Sequence, residues 1–192
     1  MESLLVSTGV VALAEIGDKT QLLAFILAAR FKKPMPIIAG ILVATIFNHG
    51  MAGALGAWIT AMVSPDILRW VLAASFLGMA AWTLIPDKIE EEETQVAQRF
   101  GVFGATLITF FLAEMGDKTQ IATVAMAAKF ASPVLVVIGT TLGMLIADVP
   151  AVFVGDKFAA KISMKLVHSI AAGIFALLGV ATLLGVGASL GF

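Results

Sequence analysis

The sequence predicts an all-α integral membrane protein in which six transmembrane helices form two inverted three-helix repeats, with helices 1 and 4 at the centre. Three observations carry that prediction. Sixty per cent of the 192 residues are hydrophobic and 13% are charged, more apolar surface than one globular core of this size can hide, so the solvent is lipid. The apolar residues fall in six runs, at about residues 3–29, 35–63, 66–86, 100–128, 133–155 and 165–190. The stretch Ala14-Glu15-Ile16-Gly17-Asp18-Lys19-Thr20-Gln21 recurs as Ala113-Glu114-Met115-Gly116-Asp117-Lys118-Thr119-Gln120, with Ile16 and Met115 the single difference.

Each run is long enough to span, and none shows the short period-2 alternation of a barrel strand, so helices that satisfy their own backbone are expected. The first run follows Met1-Glu2-Ser3, which lacks the basic start of a secretory signal, and it is expected to remain as a transmembrane helix. It carries the first motif and ends at Arg30. The second run holds Asn48 and His49 at mid-depth, and the third contains Trp70 and Trp82. Trp58, Trp70 and Trp82 fall toward span ends and read as interface anchors. The fourth run carries the second motif, the fifth holds Asp148, and the sixth closes the second half. Gly139 with Gly143 and Gly187 with Gly191 have the spacing that lets helix backbones approach closely.

The duplication extends beyond the motif. At an offset of 99, Ala29 meets Ala128, Phe31 meets Phe130, Pro34 meets Pro133, Gly40 meets Gly139, Gly56 meets Gly155 and Phe76 meets Phe175. Residues 1–86 form the first repeat, 87–99 an acidic cytoplasmic linker and 100–192 the second repeat. Because three spans is an odd number, consecutive repeats enter the membrane from opposite sides. Loop charge agrees: with both termini outside, Arg30, Lys32, Lys33, Lys88, Arg99, Lys157, Lys161 and Lys165 are cytoplasmic, and Arg69 and Lys129 are outside. The linker, with Glu90 to Glu93, reads as a solvated charge run that joins the halves; an acidic antechamber for cations is the alternative.

Composition also excludes. Without cysteine there is no disulfide, thiolate metal site or cysteine nucleophile. A formal net charge of −1 gives no basic surface for nucleic acid.

The repeated motif carries the chemistry. Ionisable residues inside a membrane are costly and mark function. Read on a continuous helix, Glu15 and Asp18 share one face, as do Glu114 and Asp117, and Lys19 follows Glu15 at the spacing that allows pairing within the helix. Gly17 and Gly116 are the expected hinges, where an opened helix would free carbonyl oxygens. Inverted symmetry would bring the two motifs together at the midplane. Four carboxylates, with Lys19 and Lys118 balancing part of their charge, leave −2, which one divalent cation neutralises. Glu15, Asp18, Glu114 and Asp117 are therefore the predicted metal residues. Gln21, Asn48, Gln120 and Asp148 are candidates for additional metal or proton binding. His49 reads as a hydrogen-bonded packing residue. Oxygen-only ligands suit Mn²⁺, Ca²⁺ or Mg²⁺. When the metal leaves, crowded carboxylates in low dielectric take up protons, since desolvation and mutual repulsion both favour the neutral acid. That competition is a physical basis for cation/proton antiport by alternating access.

Two copies of E-x-G-D-[KR]-[TS], matched in full by Glu15 to Thr20 and Glu114 to Thr119, resemble the Gdt-type family of small cation transporters. The resemblance covers essentially the whole chain. It implies a metal site shared between the motifs, a preference for Mn²⁺ or Ca²⁺, and, for so compact a chain, Mn²⁺ efflux across a bacterial inner membrane, with no resident cofactor. The residues alone leave other readings open: a structural set of ion pairs locking helix 1 to helix 4, an exporter of a small organic cation, a channel, or an intramembrane enzyme using paired carboxylates as acid and base.

Overall fold

A computed structural model describes residues 1–85, 100–130, 132–154 and 164–185. Among them are eight helices and no strand: α1 Glu2–Glu15, α2 Lys19–Phe31, α3 Pro34–Met62, α4 Pro65–Thr83, α5 Gly101–Glu114, α6 Lys118–Lys129, α7 Pro133–Val154 and α8 Met164–Leu183. Prolines start α3, α4 and α7 for one reason: at the first turn the missing N–H costs no helical bond. The acidic linker and the Gly187/Gly191 pair lie outside the described residues.

The six apolar runs appear as eight helices among the described residues, because the two motif runs are broken at the expected hinges. The first and fourth apolar runs are each interrupted at the motif, which splits them into α1 with α2 and α5 with α6. Gly17 and Gly116 cause the interruption: their φ values of 83° and 80° lie in the left-handed region, which an α-helix cannot continue through. Among the described residues two helices, α3 and the Pro133–Phe153 part of α7, are by themselves long and apolar enough to cross a membrane.

Side chains are distributed inside out relative to a water-soluble protein. Glu15, Asp18, Asn48, His49, Glu114, Asp117, Lys118 and Asp148 are buried, together with a set of threonines. Leu5, Phe47, Trp58, Trp70, Ile146, Phe153 and Leu177 are exposed. Lys, Glu and Asp are almost never fully buried in water-soluble proteins unless paired, and large exposed apolar surface marks a lipid or protein contact. The chain is a membrane protein whose polar groups line its interior.

The repeat visible in the sequence recurs in the packing. α1 packs on α7 as α5 packs on α3, α2 packs on α7 as α6 packs on α3, and α2 meets α5 as α6 meets α1. Exchanging the halves reproduces these three pairs of contacts, whereas the packing of α4 on α6 and of α8 on α1 has no equal counterpart among the described residues. The fully buried Phe76 and Phe175 are mates at the offset of 99.

Small residues set the closest approaches. A Cβ on Gly40 would meet the Thr106 side chain at 2.7 Å and the Phe103 carbonyl at 3.0 Å. Its repeat mate Gly139 faces Ser7 and the Leu4 carbonyl, the mates of Thr106 and Phe103. Gly143, one turn on, lies against the Thr8 carbonyl, where a Cβ would fall at 2.7 Å. The expected close-packing role of Gly139 and Gly143 is thus met by α1 on α7. Trp58 and Trp70 are exposed near helix ends as expected of anchors, whereas Trp82 is half-buried against the core because α4 turns that face inward.

Gly139→Ala should lower the melting temperature of the detergent-solubilised protein, since overpacking typically costs about 1–3 kcal/mol. Gly78→Ala, where a Cβ would meet nothing within 4 Å, should leave stability unchanged or raise it. Equal behaviour of the two variants in a thermal melt would contradict the packing assignment.

Candidate metal centre

Where a helix stops inside a protein, its last carbonyls and the first N–H groups of the next segment lose their helical partners. The motif supplies replacements, and supplies the same ones twice. Asp18 N–H donates to the Glu15 carbonyl at 3.0 Å, and Asp117 N–H to that of Glu114 at 3.1 Å, closing each turn. Gly17 N–H donates to Gln21 Oε1 at 2.8 Å, and Gly116 N–H to Gln120 Oε1 at 2.7 Å. The glutamines are braces for the break. Their amide groups then reach the opposite half: Gln21 Nε2 donates to the Ala147 carbonyl at 2.9 Å, and Gln120 Nε2 approaches Asn48 Oδ1 at 3.5 Å. Ala147 and Asn48 are repeat mates. Asn48 in turn donates from Nδ2 to the Phe111 carbonyl at 3.1 Å.

The break also redirects the charges. Glu15 ends α1 and Asp18 precedes α2, so the two are not on one helical face, and the same holds for Glu114 and Asp117. Asp18 and Asp117 occupy N-cap positions without capping through their side chains, which leaves both carboxylates for other partners. The lysines take them across the repeat boundary. Lys118 Nζ lies 2.9 Å from Asp18 Oδ1, both side chains inaccessible, and Lys19 Nζ lies 3.4 Å from Asp117 Oδ1 with the lysine 19% exposed. The expected pairing of Lys19 with Glu15 along one helix gives way to this exchange, because the two residues stand on different helices.

The glutamates are held by hydroxyls instead. Thr20 Oγ1 donates to Glu15 Oε2 at 2.6 Å, and Thr119 Oγ1 to Glu114 Oε2 at 3.0 Å. Each glutamate keeps its other oxygen, Oε1, without a hydrogen-bond partner among the described residues, and Asp117 Oδ2 is in the same position. Glu15, Glu114 and Asp117 each place a carboxylate oxygen within 4.8 Å of the others, and all three residues are buried. An ion centred among atoms at that limit would sit about 2.8 Å from each, close to the roughly 2.3–2.6 Å of Ca²⁺–oxygen bonds. The set is hard, oxygen-only and anionic, so it fits a divalent cation of the Mn²⁺, Ca²⁺ or Mg²⁺ type.

Of the residues singled out in the sequence, the fold gathers Glu15, Glu114 and Asp117 and commits Asp18 to Lys118. Asp148 is buried on α7 with both carboxylate oxygens unpartnered among the described residues, and it is close enough to repel Glu15 and Glu114. Its repeat mate His49, expected to be hydrogen-bonded, is buried on α3 with neither ring nitrogen bonded among the described residues. The threonine hydroxyls and the glutamine braces were not assigned these bonds from sequence. Their signal was present in both copies: a Thr five residues after each Glu, and a Gln four after each Gly.

Comparison with known proteins points the same way. A family model described as "Divalent cation/proton antiporter GDT1" matches residues 3–91 and 102–189, one segment in each half. A protein of Vibrio cholerae described as "Putative manganese exporter" is 52% identical over 95% of this chain and 90% of its own length. "GDT1-like protein 4" of Oryza sativa subsp. indica is 30% identical over 88% of this chain and 68% of its own. "GDT1-like protein 5" of Arabidopsis thaliana is 26% identical over 90% and 91%. No solved structure matches.

The exchanged ion pairs are unequal, and substitutions should expose the difference. Lys118→Met removes the ammonium from the buried Asp18 carboxylate and should cost up to about 3–5 kcal/mol in a denaturation experiment, with Asp18→Asn in the same chain recovering part of the loss. Lys19→Met should cost less, because its pair is longer and partly open to solvent. At Gly116 a Cβ has open space, so the strain of Gly116→Ala comes from φ alone, about 1–2 kcal/mol, and Gly116→Asn should be milder.

Proposed function

The chain belongs to the GDT1 family of divalent cation/proton antiporters, and from that premise we propose that it exports Mn²⁺ in exchange for protons, with Ca²⁺ the competing cargo. The observation that carries the reading is the buried group of Glu15, Glu114 and Asp117, whose carboxylates meet from the two halves of the molecule and each keep one oxygen without a hydrogen-bond partner among the described residues. Ion pairs kept for stability alone would not leave these oxygens without donors, since an unsatisfied buried polar atom costs about 1–3 kcal/mol. A dehydrated Mn²⁺ supplies what they lack. The likeness to a manganese exporter supports Mn²⁺ over Ca²⁺.

In this mechanism Glu15 and Glu114 carry the charge that the lysines do not neutralise. With Lys118 on Asp18 and Lys19 on Asp117, a net charge of −2 remains with the glutamates, matching one divalent cation. Thr20 and Thr119 orient the glutamates so that one oxygen of each is presented to the ion. Departure of the cation leaves like charges crowded in a water-poor interior, and protons bind in its place. Asp148, near both glutamates, accepts a proton or completes the shell, and Asn48 offers a further oxygen. Gln21 and Gln120 keep the breaks open at Gly17 and Gly116, which act as the hinges.

Alternating access requires a site shared by two mobile halves. Residues 1–86 and 100–192 are those halves, joined by the 87–99 linker, and six spans result when α1 with α2 and α5 with α6 each count as one crossing. The recurring contacts of the motif helices with α3 and α7 support the inverted arrangement. So does one shared cavity that brings Val63, Pro65, Lys129, Pro133 and Gly185 to one end of the bundle, the end that loop charge places outside with the termini. The corresponding membrane is the bacterial inner membrane.

Proteoliposomes with an imposed pH gradient test the proposal. Mn²⁺ flux should follow the proton gradient, exceed Ca²⁺ flux, and be lost in Glu15→Gln, Glu114→Gln and Asp117→Asn. Lowering pH on the loading side should raise the KM for Mn²⁺ while leaving the maximal rate in place, because protons and metal compete for the same oxygens. Flux that ignores a collapsed gradient would defeat the coupling, and flux retained in all three variants would defeat the site.

A further inference from the structure

Arg69 and Lys129 are the two loop cations that the positive-inside count leaves on the outer side. The fold brings both to one cavity of about 610 Å³, opening where the α3–α4 turn, the α6–α7 turn and the end of α8 meet. Its walls are mainly apolar, including Ala57, Leu68, Leu72 and Ala128, and its charged lining residues are Arg69, Lys129 and Asp66. Lys129 is half-buried, with Nζ donating to Thr182 Oγ1 at 2.9 Å. Arg69 is exposed, 5.8 Å above the Trp70 ring, and Gly185 ends α8 beside it in a left-handed turn. No carboxylate among the described residues is within ion-pair distance of either cation.

A cavity with greasy walls whose lining carries two cations without ion-pair partners among the described residues, against one carboxylate, Asp66, is net positive and a poor path for Mn²⁺. It fits an amphiphile with an anionic head. Trp58 and Trp70, 59% and 62% exposed, flank the region and mark the depth at which headgroups lie. We propose that this cavity binds one phospholipid of the outer leaflet, its phosphate held between Arg69 and Lys129 and an acyl chain along the apolar wall. Arg offers a planar fork matched to phosphate oxygens, and the Lys129 ammonium, already oriented by Thr182, supplies the second charge. Asp66 then favours a headgroup that carries an amine beside its phosphate over one with a second negative charge. The proposal rests on the placement of this end of the bundle at the membrane surface and is independent of the cargo.

Native mass spectrometry of the full chain in detergent tests it, with phosphatidylethanolamine, phosphatidylglycerol and inorganic phosphate titrated separately. One tightly retained phospholipid is expected on the wild type, phosphatidylethanolamine ahead of phosphatidylglycerol, and inorganic phosphate should not displace it. Arg69→Gln with Lys129→Gln should weaken retention about tenfold or more, and Arg69→Lys should weaken it less. Arg69→Gln alone, at an exposed position, secures a folded variant for the same comparison. Equal lipid retention in wild type and variants would overturn the proposal, as would displacement by inorganic phosphate, which would assign the cavity to the free anion.

Discussion

Lys118 and Asp18 meet at 2.9 Å with neither side chain accessible, and the two belong to opposite halves of the chain. A buried charge without its partner is far costlier than the pair, so neither half can present its motif to the interior alone. This obligation explains several features together. The lysine cannot serve its own helix, because the chain breaks between Glu15 and Lys19 and again between Glu114 and Lys118. Each half therefore completes the other, and the glutamates are left with hydroxyl partners on one oxygen and, among the described residues, none on the other. The same ion pairs that hold the halves together thus create the unsatisfied pair of glutamates that a cation can neutralise.

The break is the second constraint, and it follows from the first. Bringing two carboxylates and a lysine of one eight-residue stretch to different partners requires the backbone to change direction within three residues. A left-handed glycine makes the turn, and the glutamine four residues later takes up the amide that the turn exposes. In a water-poor interior that amide has no solvent to bond, so the brace is as necessary as the glycine. Motif residues that look like spare ligands in the sequence are committed to holding the geometry.

Much of this was legible in the sequence, and the reasons divide cleanly by residue. The duplication at an offset of 99 was visible in Gly40 and Gly139, and in Phe76 and Phe175, because packing constraints repeat wherever the fold repeats. The buried carboxylates were visible because charge in an apolar run is costly and is seldom kept for packing alone. Helical periodicity misled at one place, the motif itself. It assigned Glu15 and Asp18 to one face and Lys19 to Glu15, both inferences that hold only while the helix continues. Gly17 announced a hinge, yet sequence alone does not say whether a glycine flexes a helix or ends it. The partner across the repeat was also hidden, since spacing along a chain carries no information about which of two equivalent aspartates a lysine reaches.

The two halves are nearly, but not fully, alike, and the differences sit on the helices that flank the site. Where the first half has Asn48 and His49 the second has Ala147 and Asp148. Gln120 therefore reaches toward a side-chain oxygen, whereas its mate Gln21 bonds a main-chain carbonyl. The ion pairs differ too, at 2.9 Å and fully enclosed in one case and 3.4 Å with a partly exposed lysine in the other. A perfectly duplicated protein would have two mirror-related arrangements of equal energy, each half exchanging roles with the other. Here the surroundings of the two motifs are unequal, so the two arrangements would be unequal as well, and in the proposed mechanism a cation or proton bound among Glu15, Glu114 and Asp117 would act on a balance that is already tilted. An ion that interacts differently with the two arrangements can shift that balance by its differential affinity alone, which is how the proposed mechanism would couple a buried charge set to movement of the halves around it.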